Sequence, residues 1–183
     1  MAWHSMKPYA SPKTVLFALQ LIVLLGQFLP AAAAQPFMVS GGGTGTFGAD
    51  LDGDGDIDGS QFGLVVSIWE GGLAKGHFEC LMAGKSDFLG LRLMAVSGRI
   101  SSGSLEGDGT IILSGVGSVN LGEGEIVRGA QFTVTVQPGG PGVGTLQLTV
   151  LGAFDGVPGD TALGNGNYDL PPETVVTGHI AWK

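Results

Sequence analysis

The chain has 183 residues, with 16 acidic against 8 basic side chains and a formal charge of −8. Such a balance makes nucleic acid a poor partner, because phosphate counterions are displaced by a basic surface, and it disfavours anionic lipid heads for the same reason. A single cysteine, Cys80, excludes an intrachain disulfide, and the length suffices for one domain with its own core.

Residues 1–34 have the pattern of a secretory signal peptide. A polar start carrying Lys7 and Lys13 precedes the apolar run "TVLFALQLIVLLGQFL", and Pro30 and "AAAAQ" follow. Small residues at an Ala-x-Ala site predict cleavage after Ala34. The run is about 16 residues, short of the roughly 20 that a spanning helix needs. Loss of Lys7 and Lys13 without loss of any acid would take the formal charge from −8 to −10. A secreted protein, extracellular or periplasmic, is expected, with residues 35–183 forming a single domain.

In that domain glycines separate short alternating apolar runs, which predicts many strands joined by tight turns. Phe37 to Phe47 is a weak, glycine-rich first strand. The stretch "ADLDGDGDIDGSQF", Ala49 to Phe62, comes next. It places oxygen donors at alternate positions: Asp50, Asp52 and Asp54 at loop positions 1, 3 and 5, Asp56 at 7 through its carbonyl, and Asp58 at 9. Gly55 stands at position 6, where a calcium loop needs a sharp turn. Ile57, at position 8, is expected to point inward. Gln61 occupies position 12, where a bidentate acid is usual, so affinity should be reduced. Extracellular modules work at dissociation constants of roughly 10⁻⁴ to 10⁻³ M, which leaves room for a structural Ca2+ held by Asp50, Asp52, Asp54, Asp56, Asp58 and Gln61. A solvated acidic loop without a specific ion is the alternative.

Beyond the loop, "FGLVVSIW" sets Phe62, Leu64, Val66 and Ile68 on one face. Helical spacing of Phe62, Val65, Val66 and Trp69 competes, but the β-branched residues and nearby glycines favour a strand. Glu70 to Leu73 turns. "KGHFECLM" then places Phe78, Cys80 and Met82 on one face and His77, Glu79 and Leu81 on the other, with Cys80 expected as a small buried hydrophobe. Phe88 to Val96 alternates Leu89, Leu91, Leu93 and Ala95 against Arg92 and Met94. A turn at Glu106 to Gly109 leads into "TIILSGVGSVNL", which Gly115 and Gly117 could bulge. "GAQFTVTVQ" alternates Phe132, Val134 and Val136, "PGGPGVG" (138–144) reads as a loop, and "TLQLTVL" alternates Leu146, Leu148 and Val150. A long loop, Gly152 to Pro172, precedes the last strand, "TVVTGHIAW". A flat sheet of that many strands would expose its edges and one apolar face. The expected fold is therefore all-β: an antiparallel barrel of about eight to ten strands, closed or nearly closed, with a two-sheet sandwich as the alternative.

Other clusters are weaker. His77, Glu79 and His179 could hold zinc if their strands were neighbours. Asp155, Asp160 and Asp169 could form a second cation site or stand solvated. Tyr168 with "LPPETV" is expected to staple the long loop to the barrel, and Trp69 and Trp182 to pack at its ends or line a mouth. No G-x-S-x-G elbow or P-loop lysine is present, and no catalytic residue is assigned.

Two resemblances add to this reading. "DLDGDGDIDGSQF" resembles the calcium loop of bacterial type I dockerins, over one loop without a second copy, so cohesin binding is not implied. "SGGGTGTFG" (40–48), "GHFEC" (76–80), "VSGRISSG" (96–103), "GVGSVNLG" (115–122), "FTVTV" (132–136) and "GNYDLPPETVVTGHI" (166–180), in that order, resemble secreted bacterial glycine-rich β domains of the post-COAP type. The resemblance implies a small barrel-like domain of unknown activity, alone or attached to surface proteins, with the acidic loop inserted in its first hairpin. The expectation is a monomeric, non-catalytic module that meets a protein or small-molecule partner in an envelope or extracellular binding or scaffold role. The alternatives are a carrier of a lipid-like or carbohydrate ligand and, more remotely, a metal-dependent hydrolase.

Overall fold

The computed structural model describes residues 35–50, 55, 57–82, 94–120, 126–157 and 159–183. The leader, the strand stretch 88–93, and Asp52, Asp54 and Asp56 lie outside the described residues. Nine strands are present: β1 (Phe37–Thr46), β2 (Ser60–Ile68), β3 (Leu73–Met82), β4 (Ala95–Leu105), β5 (Ile111–Asn120), β6 (Ile126–Gln137), β7 (Thr145–Leu151), β8 (Tyr168–Asp169) and β9 (Glu173–Trp182). The described residues contain no helix. The segment after the acidic loop is strand β2, so the helical alternative there is excluded.

All pairings are antiparallel. Successive hairpins run from β1 to β7, and β9 lies between β1 and β7. Eight strands thereby close into a ring of hydrogen bonds, barrel-like, with the short β8 added beside β7. A ring of this size is just wide enough for side chains to fill it. The inward positions are apolar, as the alternation predicts: Phe62, Leu64, Val66 and Ile68 from β2, Phe78, Cys80 and Met82 from β3, Phe132, Val134 and Val136 from β6, and Leu146, Leu148 and Val150 from β7 are all buried. Phe78 and Phe132 meet near the centre with ring centroids 5.8 Å apart. Phe132 fits because Gly98 and Gly115 carry no side chain. A Cβ would lie 2.4 Å from its ring at Gly98 and 2.9 Å at Gly115.

One face assignment is reversed. Met94 and Val96 point inward and Ala95 outward. The register explains it: Val96 is paired with the inward Cys80 and Ala95 with the outward Leu81, and directly opposed residues share a face. Bulges shift the alternation elsewhere. The register slips between Ile100 and Ser102 on β4, and at Gly129 on β6, whose φ is 76°. On β9 it slips at Val176, which leaves Val175 and Glu173 inward and Val176 outside.

The ring's last seam uses a segment expected only as a loop. β9 meets β7 at just two residue pairs, Thr174 with Thr145 and Glu173 with Leu146. Residues 138–144 complete the edge. Val175 N–H donates to the Gly144 carbonyl at 2.8 Å, Ile180 N–H to that of Gly139 at 2.9 Å, and Gly139 N–H returns a bond to Ile180. Pro171 and Pro172 separate β8 from β9, as expected of residues that cannot donate to a ladder.

Candidate functional site

The acidic loop leaves β1 and returns as β2, and the described residues define its two ends. Asp50 turns its carboxylate back into the loop, where Oδ2 accepts the Gly55 N–H at 3.0 Å. Gly55 has φ of 99°, a left-handed conformation that favours glycine. Position 1 is thus tied to position 6 and the chain coils on itself, which is how alternate oxygens come to share one centre. At the base, Phe47 N–H donates to the Asp58 carbonyl at 2.9 Å, and the Thr46 hydroxyl donates to the same oxygen at 3.3 Å. Phe47 and Asp58 are both buried, so the loop is zipped directly onto the sheet. A hard cation with a preference for carboxylate and carbonyl oxygen fits this donor set and coil. Among the described residues no three His, Cys, Asp or Glu side chains converge. Asp52, Asp54 and Asp56, the centre of the proposed set, lie outside them.

Two expectations for the loop are revised. Ile57 is 55% exposed rather than inward: in the extended stretch entering β2 adjacent side chains face opposite ways, and Asp58 is the one turned in. Gln61 sits one residue into β2, on the outer face between Thr44 and Leu81. It shares a shallow concavity of about 320 Å3 with Ile57, Thr44 and Val176.

Beneath the loop lies a buried carboxylate that the sequence reading left unassigned. Glu173 is 2% exposed, and its Oε2 accepts both the N–H and the hydroxyl of Ser60, at 3.0 and 2.6 Å. Gly45 makes the space, since a Cβ there would lie 2.5 Å from that oxygen. Burial pushes the Glu173 carboxyl up to about 6, against the downward pull of the two Ser60 bonds. Ser60 opens β2, so the loop's exit is anchored to β9 across the barrel interior. Nearby Cys80 is buried as expected, and burial, helped by the Glu173 charge, pushes its thiol up to about 12. A thiol so held stays protonated and unreactive at neutral pH. The available signal for Glu173 was its place two residues before Val175 in an alternating strand.

The remaining clusters separate. His77 and Glu79 are adjacent on the outer face of β3, with Nε2 and Oε1 3.0 Å apart. His179 lies on β9, beyond β2 and β1. Three strand spacings amount to roughly 14 Å, too far for a shared ion. In the long loop the aspartates are neither free nor grouped for a cation. Asp155 accepts the N–H groups of Gly164 and Gly166, both at 2.8 Å. Asp160 accepts those of Gly156 and Ala162 at 2.9 and 3.0 Å, and these backbone bonds lower its carboxyl. Asp169 accepts the Thr149 hydroxyl at 2.8 Å and the Asn165 amide at 2.7 Å. The carboxylates therefore act as hubs that shape the loop. Tyr168 is fully buried and β8 pairs with β7, so the loop is stapled to the barrel there. Trp182 is 47% exposed and packs edge-on against Phe37, centroids 6.3 Å apart; Trp69 is partly buried at the β2–β3 turn.

Comparison with protein-family models, with curated proteins and with solved structures finds no match for this chain.

Proposed function

We propose that the chain is a secreted, non-catalytic β-barrel module whose acidic loop takes up a structural Ca2+, serving a binding or scaffold role in the envelope or outside the cell. The observation that carries this reading is the Asp50–Gly55 closure. It coils a loop of five aspartates about one centre, and five carboxylates so close repel one another unless a cation neutralises them. The loop is zipped to the sheet at Phe47 and Asp58 and anchored by Ser60 to Glu173. Ordering it therefore stiffens β1, β2 and β9 together. The large inward side chains favour a scaffold over a carrier with a ligand cavity. The separation of His179 from His77 and Glu79 removes the set on which a hydrolase would rest. The outward strand positions include Lys75, His77, Glu79 and Arg99, all exposed, whereas a membrane-crossing barrel carries its apolar band outside.

Calcium is expected to stabilise the purified protein against heat. At several millimolar calcium and a dissociation constant of roughly 10⁻⁴ to 10⁻³ M, mass action gives about 1–2 kcal/mol, or a rise of about 3–6 °C in Tm. Asp52→Ala should reduce the shift. Equal melting temperatures in EDTA and in calcium would refute the proposal.

A further inference from the structure

On the outer face of β3 and β4, away from the acidic loop's carboxylates, three side chains bring their donor atoms together. His77 Nε2 lies 3.0 Å from Glu79 Oε1, and Ser97 Oγ lies 3.4 Å from the imidazole nitrogen and 3.5 Å from the carboxylate oxygen. The backbone sets this triangle. His77 and Glu79 are two apart on β3 and so share the outer face, and Ser97 on β4 is the direct partner of Glu79. On the other side Glu79 is paired with Gly63 of β2. The missing side chain there opens a concavity of about 400 Å3 bordered by Gln61, Gly63, Glu79, Leu81, Ala95 and Ser97.

We infer that His77 and Glu79, with Ser97 beside them, form a binding site for a divalent transition-metal ion of the copper or zinc class. With metal–nitrogen and metal–oxygen bonds of about 2.0–2.2 Å, donors in a tetrahedral shell stand about 3.4 Å apart, and adjacent donors in a square or octahedral shell about 3.0 Å apart. The three observed separations fall on those two values. An ion above the triangle would take the imidazole nitrogen, one carboxylate oxygen and the weaker hydroxyl oxygen, and the open side would leave its other positions to water. The metal takes the place of the proton that otherwise bridges Nε2 and Oε1. Arg99 is the cross-strand partner of His77, and its charge opposes any cation. Binding therefore falls to ions with strong affinity for imidazole, and calcium is not among them. The site is independent of the acidic loop, which offers only oxygen, and that difference makes the two separable.

The test is electron paramagnetic resonance of the purified protein with one equivalent of Cu2+, in calcium-containing buffer. The spectrum is expected to show nitrogen coupling from a single imidazole. His77→Ala should abolish that coupling, Glu79→Gln should weaken the ion's retention against a competing chelator, and His179→Ala should leave both unchanged. All three side chains are exposed, so the variants keep the fold. Persistence of the imidazole coupling in His77→Ala, or its absence from the parent protein, would overturn the inference.

Discussion

Replacing Phe132 by alanine is expected to lower the unfolding free energy by about 3–5 kcal/mol, the usual cost of deleting a fully buried phenylalanine. The side chain has no exposed surface. It lies over Gly98 and Gly115 and against Phe78, so no neighbouring side chain on those two strands can swing in to fill the gap. The glycines that admit the ring also prevent repair of the cavity. The ring thus links β3, β4, β5 and β6. Urea unfolding followed by tryptophan fluorescence would measure the loss. Val65→Ala is the control: Val65 is one of the outward residues of β2, 59% exposed, and its removal should stay within about 0.5 kcal/mol. A cost below about 1 kcal/mol for Phe132→Ala would mean that the interior is not packed around this ring.

Glu173 gives the second large effect, and its sign runs against the common behaviour of carboxylates. Its folded pKa is raised, from 4.5 to about 6, so the folded protein favours the protonated acid. The contribution to stability is fully present below about pH 4.5 and is lost as pH rises through about 6. A shift of about 1.5 units corresponds to about 2 kcal/mol across that window. Asp108 and Asp160 shift the opposite way, both lowered by backbone hydrogen bonds. Their stabilisation is present above the usual aspartate range and is lost as pH falls through their lowered values. Glu173→Gln keeps an oxygen for the two Ser60 donors and removes the charge. The difference in stability between parent and variant should therefore move in the variant's favour by about 2 kcal/mol between pH 4.5 and 7. Parallel pH profiles over that range would show that Glu173 is not buried in a low-dielectric interior.

Much of the fold could be read from residues two apart. In β2, β3, β6 and β7 the apolar alternation named the inward side chains directly, because each of those strands keeps its register over the segment concerned. Where the register slips, alternation alone misleads. Met94 and Ala95 exchanged faces because their orientation is set by pairing with Cys80 and Leu81, which are distant in sequence. Residues 138–144 read as a loop because glycine and proline carry no strand signal. Their contribution lies in backbone N–H and C=O groups, which every sequence has and whose partners on β9 are about 35 residues away. Glu173 was passed over because a charged residue is assumed to face water. Its burial depends on the space at Gly45 and the donors of Ser60, a three-strand coincidence. At the acidic loop the spacing announced the coil, and the Asp50–Gly55 bond and the conformation of Gly55 agree with it. The orientation of Ile57 was set instead by the strand it enters.

Everything here depends on the sheet closing on itself, and the β7–β9 seam is where closure is thinnest. Amide hydrogen exchange followed by NMR reads that seam residue by residue. Val175 and Ile180 donate to the Gly144 and Gly139 carbonyls, so their amides should exchange as slowly as those in the middle of β3 and β4. Rapid exchange at Val175 and Ile180 alongside a protected β3 would mean an open sheet with β9 as a free edge, and would contradict the closed ring.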